Sequence, residues 1–328
     1  MANLKTTYMG IELDNPIIAA SCGLVSRVEG VQRVEEAGAG AVVLKSLFEE
    51  QIRLETADEA AGVGAWDHPE AGDFMNSEVW MQYGTRDYCG LIEECKKKVE
   101  IPIFASVNCV GGKWWTSFAK DLEAAGADGI ELNIWIPGTD RTRKGGDVEQ
   151  EYIDIVGNVT SQVGIPVAAK IGFSFASLAY VTHQLVESGA KALVMFNRFH
   201  RPDIDIEALT LKSASPFSEA VEMQQALRWI GLLSSTLDCD LVAATGLHDS
   251  EQVIKQLLAG AAAAQVCSSL YRHGLGHIGT IVEGLEAWME RHDFDSLADF
   301  RGKLSRDGSE SAAVYERSQY IRQLVGIY

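Results

Sequence analysis

Eight short apolar runs recur along the chain, at residues 16–21, 41–46, 103–108, 129–133, 167–170, 192–197, 241–245 and 262–268. Runs this short and this continuously apolar read as strands buried on both faces, the mark of a parallel sheet. Each run closes on a polar side chain: Ser21, Lys45 with Ser46, Asn108, Asn133, Lys170, Asn197, Thr245 and Ser268. A strand covered on both faces has no structural use for a lysine or an asparagine at its carboxyl end. A ring of such residues at one end of a closed sheet is what an active site needs.

A second pattern gives the connections. Ala37-Gly38-Ala39, Ala125-Gly126-Ala127, Ser188-Gly189-Ala190 and Ala259-Gly260-Ala261 each stand just ahead of one of the runs. Helical patterns such as 116–125 and 250–258 precede them, and a glycine just past a helix fills the left-handed position that ends it. Two further runs are entered through Ile101-Pro102 and Ile165-Pro166, where proline at a strand start does not disturb the ladder. Helix, glycine turn and strand repeated at this pace mean βα units. Eight of them most simply close into a (β/α)8 TIM barrel, an α/β fold. The competing architecture is an open doubly wound sheet, but no Gly-rich dinucleotide turn follows the first strand.

The 328 residues are therefore read as one barrel domain, 1–328, with a helical extension over about 290–328. Residues 4–13, with Met9-Gly10 at the turn, read as an N-terminal hairpin covering the barrel's bottom. Three strand-to-helix loops are long insertions, at 49–86, 134–150 and 198–218, and the last has room for an extra strand pair. All three leave the face that carries the polar ring. Such loops cover a site or make dimer contacts, and a homodimer is expected.

The net charge of −18 disfavours nucleic acid and anionic membrane as partners, while a few lysines in a closed site still permit a small anionic substrate. No apolar run is long enough to span a bilayer, and MANLKTTYMGIELDN has the form of neither a signal nor a transit peptide. Six scattered cysteines form no CxxC pair, so neither zinc nor an iron–sulfur cluster is signalled, and the histidines show no metal-ligand spacing. A cytoplasmic location is expected.

Among the ring residues, Lys45 and Lys170 are the most telling, because an unpaired buried ammonium is costly. Neither has a carboxylate neighbour in sequence, so the counter-charge expected is a ligand that carries or develops negative charge. The amides of Asn108, Asn133 and Asn197 suit a planar heterocycle with alternating C=O and N–H groups. Thr245-Gly246-Leu247, before a helix opening at Ser250, and Cys267-Ser268 follow the seventh and eighth strands, the common place for a barrel phosphate site.

As an ordered set, GIELDNPIIAAS, GAGAVVLKS, GADGIELNI, PVAAKI, LVMFNR with PDIDIE, and LAGAAAAQVCSSLYRHG resemble the dihydroorotate dehydrogenase family of FMN barrels, over roughly residues 5–285. The resemblance implies one FMN at the carboxyl end of the barrel and an oxidoreductase acting on a CH–CH bond, dihydroorotate to orotate in pyrimidine biosynthesis. It implies that Ala20 and Ser21 lie against the isoalloxazine and that Lys45, with Ser46, sits by flavin and substrate. Asn108, Asn133 and Asn197 would reach flavin or substrate polar atoms. Lys170 would face the N1/O2 edge, where charge collects on reduction, and Thr245, Gly246, Cys267 and Ser268 would hold the phosphate. Lys45, Asn133 and Lys170 are the expected catalytic residues, no metal is expected, and the soluble fumarate-using type is the nearest match.

The chain also departs from that pattern. The family's Asn-x-x-Cys/Ser-Pro-Asn loop reads here Asn133-Ile134-Trp135-Ile136-Pro137-Gly138, so Ile136 stands where the proton-accepting Cys or Ser would be. Asn76-Ser77-Glu78-Val79-Trp80 only faintly echoes a second family segment. A substitute base could come from Cys109, Thr139, Asp140 or Cys22. Without a base, reduction of an activated alkene is the alternative activity. A second alternative is a non-redox phosphate-binding isomerase or aldolase with Lys170 as Schiff-base nucleophile, and a third is a flavin-binding protein without turnover.

Overall fold

A computed structural model describes residues 2–48, 84–109, 115–199 and 201–308 of the chain. Eight parallel strands close on themselves: β3 (Ile17–Ala19), β4 (Ala41–Val43), β6 (Ile103–Cys109), β7 (Gly129–Ile134), β8 (Val167–Ile171), β9 (Ala192–Met195), β12 (Asp240–Ala244) and β13 (Ala263–Val266), with β13 pairing back to β3. A short strand, β5 (Leu47–Phe48), extends the pairing along β6 beyond β4. All eight apolar runs are barrel strands, so the closed sheet is established and the open one is not.

Helices α1 (Val28–Glu36), α2 (Thr85–Lys96), α3 (Trp115–Ala124), α4 (Gly145–Thr160), α5 (Leu178–Glu187), α6 (Met223–Leu233), α7 (Ser250–Ala259), α8 (Ser268–His273) and α9 (His277–Arg291) surround it. The helix-ending glycines Gly38, Gly126, Gly189 and Gly260 all have positive φ. Gly260 shows why the residue is needed. It ends α7 at φ 115°, donates to the Gln256 and Leu257 carbonyls, and a Cβ there would stand 2.4 Å from the Ser234 hydroxyl.

Period-two alternation divides the core in two. One set of strand side chains packs outward against the helices. The other set fills the barrel with Ile18, Val43, Phe104, Val194 and Val242 among the alanines 41, 168, 192, 244 and 263. The small residues leave room for a plug. Strands β1 (Thr6–Tyr8) and β2 (Ile11–Leu13) form the expected hairpin, turning at Met9 and Gly10, both at positive φ. Its Tyr8 ring lies edge-on to Phe104 at 5.0 Å, the Thr6 hydroxyl donates to the Ala262 carbonyl at 3.0 Å, and the Met9 amide donates to Asp240 at 2.7 Å. The bottom of the barrel is thereby shut.

The loop after β9 carries the predicted extra pair, β10 (Pro202–Asp205) and β11 (Thr210–Ser213). Residues 49–83 of the first long loop, with Trp66, Phe74, Trp80 and Tyr83, lie outside the described residues, as do 309–328. After α9 the described chain, to residue 308, runs through turns with one 3-10 turn at Leu297–Asp299 and no further α-helix, and the second half of the expected helical extension lies outside the described residues.

Candidate active site

Strand register builds the site. Asn108 on β6 pairs with Asn133 on β7, and Asn133 pairs with Lys170 on β8. Three ring residues on adjacent strands therefore stand at one level and, by the two-residue period, on the inner face. The next strand adds Asn197, whose amide N–H₂ donates to Asn133 Oδ1 and whose backbone N–H is held by the Ile171 carbonyl at 2.8 Å.

One layer deeper lie residues that the reading of the strand ends overlooked. Ser106, Glu131 and Gln265 are buried two positions before Asn108, Asn133 and Cys267, on the same inner face. Lys170 Nζ donates to Gln265 Oε1 at 2.8 Å and lies 3.4 Å from Glu131 Oε1. Gln265 Nε2 donates to the other Glu131 oxygen. This corrects one expectation: the counter-charge of Lys170 comes from the chain's own Glu131, delivered by the neighbouring strand. The signal was present in GIELN and AAAAQVC, where a polar residue interrupts an apolar strand in phase with the ring.

On the other side, Ser21, Ser46 and Ser106 form a hydroxyl chain, with oxygens 3.0 and 2.8 Å apart, and the Ser46 amide donates to Ser21 at 2.8 Å. Lys45 is half-buried there, its ammonium 5.8 Å from the Phe48 ring centre. Burial lowers its pKa, and the nearby Cys22 opposes that shift. Ala20 is buried at the β3–β13 seam, donating to the Val266 carbonyl at 2.9 Å.

The seventh and eighth units meet as expected, through a residue not foreseen. Ser218 Oγ accepts from the Gly246 amide at 3.2 Å and donates to Ser268 Oγ at 3.1 Å, with His248 Nε2 at 3.3 Å. Thr245 and Gly246 both take positive φ, 73° and 78°. The Gly246 amide is thus engaged by Ser218 rather than directed at a ligand. The amides of Ser268 and Ser269 open α8, where a helix gives them no partner of its own, and the Ser269 hydroxyl is fully buried without one. An anion with several acceptor oxygens answers that donor set, and an ammonium with three amides answers a polar heterocycle. The residues present therefore fit a flavin mononucleotide.

The loops beyond Asn133 and Lys170 differ in character. Ile136 is buried, and its amide donates to the Tyr152 hydroxyl at 3.1 Å. Trp135 packs on Phe199 with ring centres 5.6 Å apart, and Phe173 on Phe196 at 5.9 Å. Of the suggested substitute bases, Asp140 spends a carboxylate oxygen on the Thr142 amide and hydroxyl, which hold its pKa down, and Thr139 is exposed. The Cys109 side chain lies outside the described residues. No group of three or more potential metal ligands occurs among the described residues, and no described helix is long and apolar enough to cross a membrane. A cavity of about 690 Å³ opens at the opposite end of the barrel, by Met9, Lys191 and Asp240, and includes none of the ring residues.

Fold and ring together define a barrel enzyme whose strand ends gather two lysines and three amide side chains. A sequence profile described as dihydroorotate dehydrogenase matches residues 3–289. The chain is 27% identical to a putative dihydroorotate dehydrogenase A (fumarate) of Aeropyrum pernix, over 92% of this chain and 98% of that protein. It is 24% identical to the catalytic subunit of dihydroorotate dehydrogenase B (NAD(+)) of Thermoplasma acidophilum, over 93% and 100%. To the same subunit of Methanocaldococcus jannaschii it is 27% identical, over 83% and 88%. The chain belongs to the dihydroorotate dehydrogenase family, flavin-dependent oxidoreductases acting on CH–CH bonds.

Proposed function

We propose that this chain holds one FMN at the carboxyl end of its barrel and exchanges a hydride with a CH–CH bond beside a carbonyl in a small anionic ring. Dihydroorotate is the reference substrate. The observation that carries this reading is the shared level of Asn108, Asn133 and Lys170, with Asn197 bonded to Asn133. FMN, when bound, supplies two-electron chemistry at a fixed position.

The chain's own residues supply the rest. Lys170 provides a positive charge where the ring develops negative charge, and Glu131 and Gln265 aim it. That commitment suits a charge stabiliser better than a Schiff-base nucleophile. Ala20, Ser21, Lys45 and Ser46 give the flavin a wall, and Thr245, Gly246, Cys267 and Ser268 surround its phosphate, with Ser218 yielding the Gly246 amide. Ile136 carries no proton acceptor, and its amide is already used by Tyr152. Oxidation of dihydroorotate, which needs a base there, is accordingly slow, and reduction of an activated alkene with a proton from water is the favoured direction.

The protein works as a homodimer in the cytoplasm, with neither nucleic acid nor membrane as partner. The net charge of −18 and the exposed apolar hairpin β10–β11 support this reading.

The test is anaerobic stopped-flow on the purified yellow protein. Dihydroorotate should reduce the flavin slowly and orotate should reoxidise it slowly, since both directions need the same proton-transfer group, while the dithionite-reduced flavin should be reoxidised by a cyclic enone, with fumarate tested as acceptor. Lys170→Ala should slow that reoxidation by about 10²–10³-fold. A colourless protein that takes up no FMN would overturn the reading of the site. Rapid flavin reduction by dihydroorotate, unaffected at Ile136, would overturn the reading of the loop.

A further inference from the structure

The inner-face phase that places Asn133, Lys170 and Asn197 runs on for one more step, and that step ends on aromatic rings. Continuing the β7–β8 register past Asn133 and Lys170 sets Trp135 opposite Gly172. Ile134 and Ile136, on either side of Trp135, belong to the core that packs outward against the helices, so the indole between them stands on the inner side. Ile136 thus turns away from the mouth, with its amide on the Tyr152 hydroxyl of α4. Phe199 stands two residues beyond Asn197, and its ring comes down over Gly172, where a Cβ would lie 2.6 Å from the ring tip. Trp135 and Phe199 then pack on each other, with ring centres 5.6 Å apart and planes 32° from parallel.

The backbone that carries Phe199 is fixed just ahead of it. The Asn197 amide is held by the Ile171 carbonyl, and Arg198 pairs with Glu222 at 3.1 Å while donating to the Ser215 and Pro216 carbonyls. The two rings themselves are only half-buried, so they leave an apolar surface open one step beyond the amides of Asn133 and Asn197. Such a surface gains from a stacked aromatic ring and gives nothing to an edge N–H or C=O. The pyrimidine of dihydroorotate is polar around most of its edge, and groups that meet the rings instead of the amides would lose their hydrogen bonds.

We propose that Trp135 and Phe199 form a specificity wall of the substrate pocket, and that the ring this site accepts carries an aromatic face, fused or attached, beside its acidic edge. The inference rests on the flavin site proposed above and narrows the anionic ring named there. The acidic and carbonyl edge meets Lys45 and the amides of Asn133 and Asn197, while the aromatic face stacks on the indole and on Phe199. Gly172 makes the wall possible, since any side chain there displaces the Phe199 ring. Trp135, rather than Ile136, is the residue of the loop after β7 that meets the substrate.

The experiment is titration calorimetry on the full chain, as purified, with two planar carboxylates of equal charge, orotate and coumarin-3-carboxylate. Coumarin-3-carboxylate should bind about tenfold more tightly, the gain of one aromatic stack, and orotate should displace it. Trp135→Leu and Phe199→Leu should each remove most of that preference. Gly172→Ala keeps both rings in the chain but pushes Phe199 off its seat, and it should cut the preference as well. Flavin content and the thermal midpoint are read on the same preparations, so a misfolded variant shows itself and the others decide. Equal or tighter binding of orotate by the wild-type chain, a preference that survives all three substitutions, or a loss shared equally by both ligands would overturn the wall while the yellow colour leaves the flavin site in place. A colourless protein is the separate failure: it would remove the flavin reading and the wall with it.

Discussion

Lys170 does two things at once, and they can be separated by mutation. Its ammonium is placed to stabilise charge in the site, and it also compensates the buried carboxylate of Glu131. Removing one member of a buried ion pair leaves the other uncompensated, which typically costs about 3–5 kcal/mol. Lys170→Ala should therefore lower the urea midpoint as well as activity. Adding Glu131→Gln to that variant removes the stranded charge and should recover most of the stability but none of the turnover. If the double variant is no more stable than Lys170→Ala, Glu131 is not held by Lys170 in the way the 3.4 Å contact implies. Gln265 is the hinge of the arrangement, since it accepts from Lys170 with one atom and donates to Glu131 with the other.

At the scale of elements, four helices end on glycines with positive φ, but these turns are not equally demanding. At Gly38, with φ 88°, a Cβ would meet nothing within 4 Å, so Gly38→Ala carries only the cost of a left-handed backbone, about 1 kcal/mol. At Gly260 the same substitution also drives a methyl into Ser234, and the loss should be about 1–3 kcal/mol larger. Thermal unfolding of the two alanine variants checks the order, and equal losses would mean that Ser234 moves aside freely. These turns were legible in the sequence because Ala-Gly-Ala before an apolar run admits few local solutions. The strand ends were legible for the same reason: a polar residue closing a doubly buried strand is conspicuous. Glu131 and Gln265 are not legible from the strand ends, because each sits one inner-face step before the closing residue and shows only in the period-two phase. Ser218 was hidden for another reason. It sits in the irregular loop 198–218, and nothing in local pattern says that this loop folds back to join Gly246 to Ser268.

On the scale of the molecule, the β10–β11 hairpin stands apart from the barrel with Ile204, Ile206, Leu209 and Leu211 all well exposed, the last two at 85% and 79%. A lone two-stranded hairpin is marginal in water, and apolar side chains gathered on one call for a cover. In the proposed homodimer the cover is a second copy. Two chains that each carry −18 repel one another, so apolar contact has to overcome long-range charge. The association should therefore tighten as salt shortens the screening length from about 30 Å at 0.01 M to about 8 Å at 0.15 M, the opposite of an interface held by salt bridges. Sedimentation velocity across that range should show the dimer fraction rising with salt, and a Leu209→Lys, Leu211→Lys variant should remain monomeric throughout. The substitutions lie on an exposed hairpin joined to the barrel by loops, so its flavin spectrum should match that of the wild type. A wild-type chain that sediments as a monomer at every salt concentration would leave the hairpin without its second copy and remove homodimerisation from the proposed function, while the barrel and its ring of strand-end residues would stand unchanged.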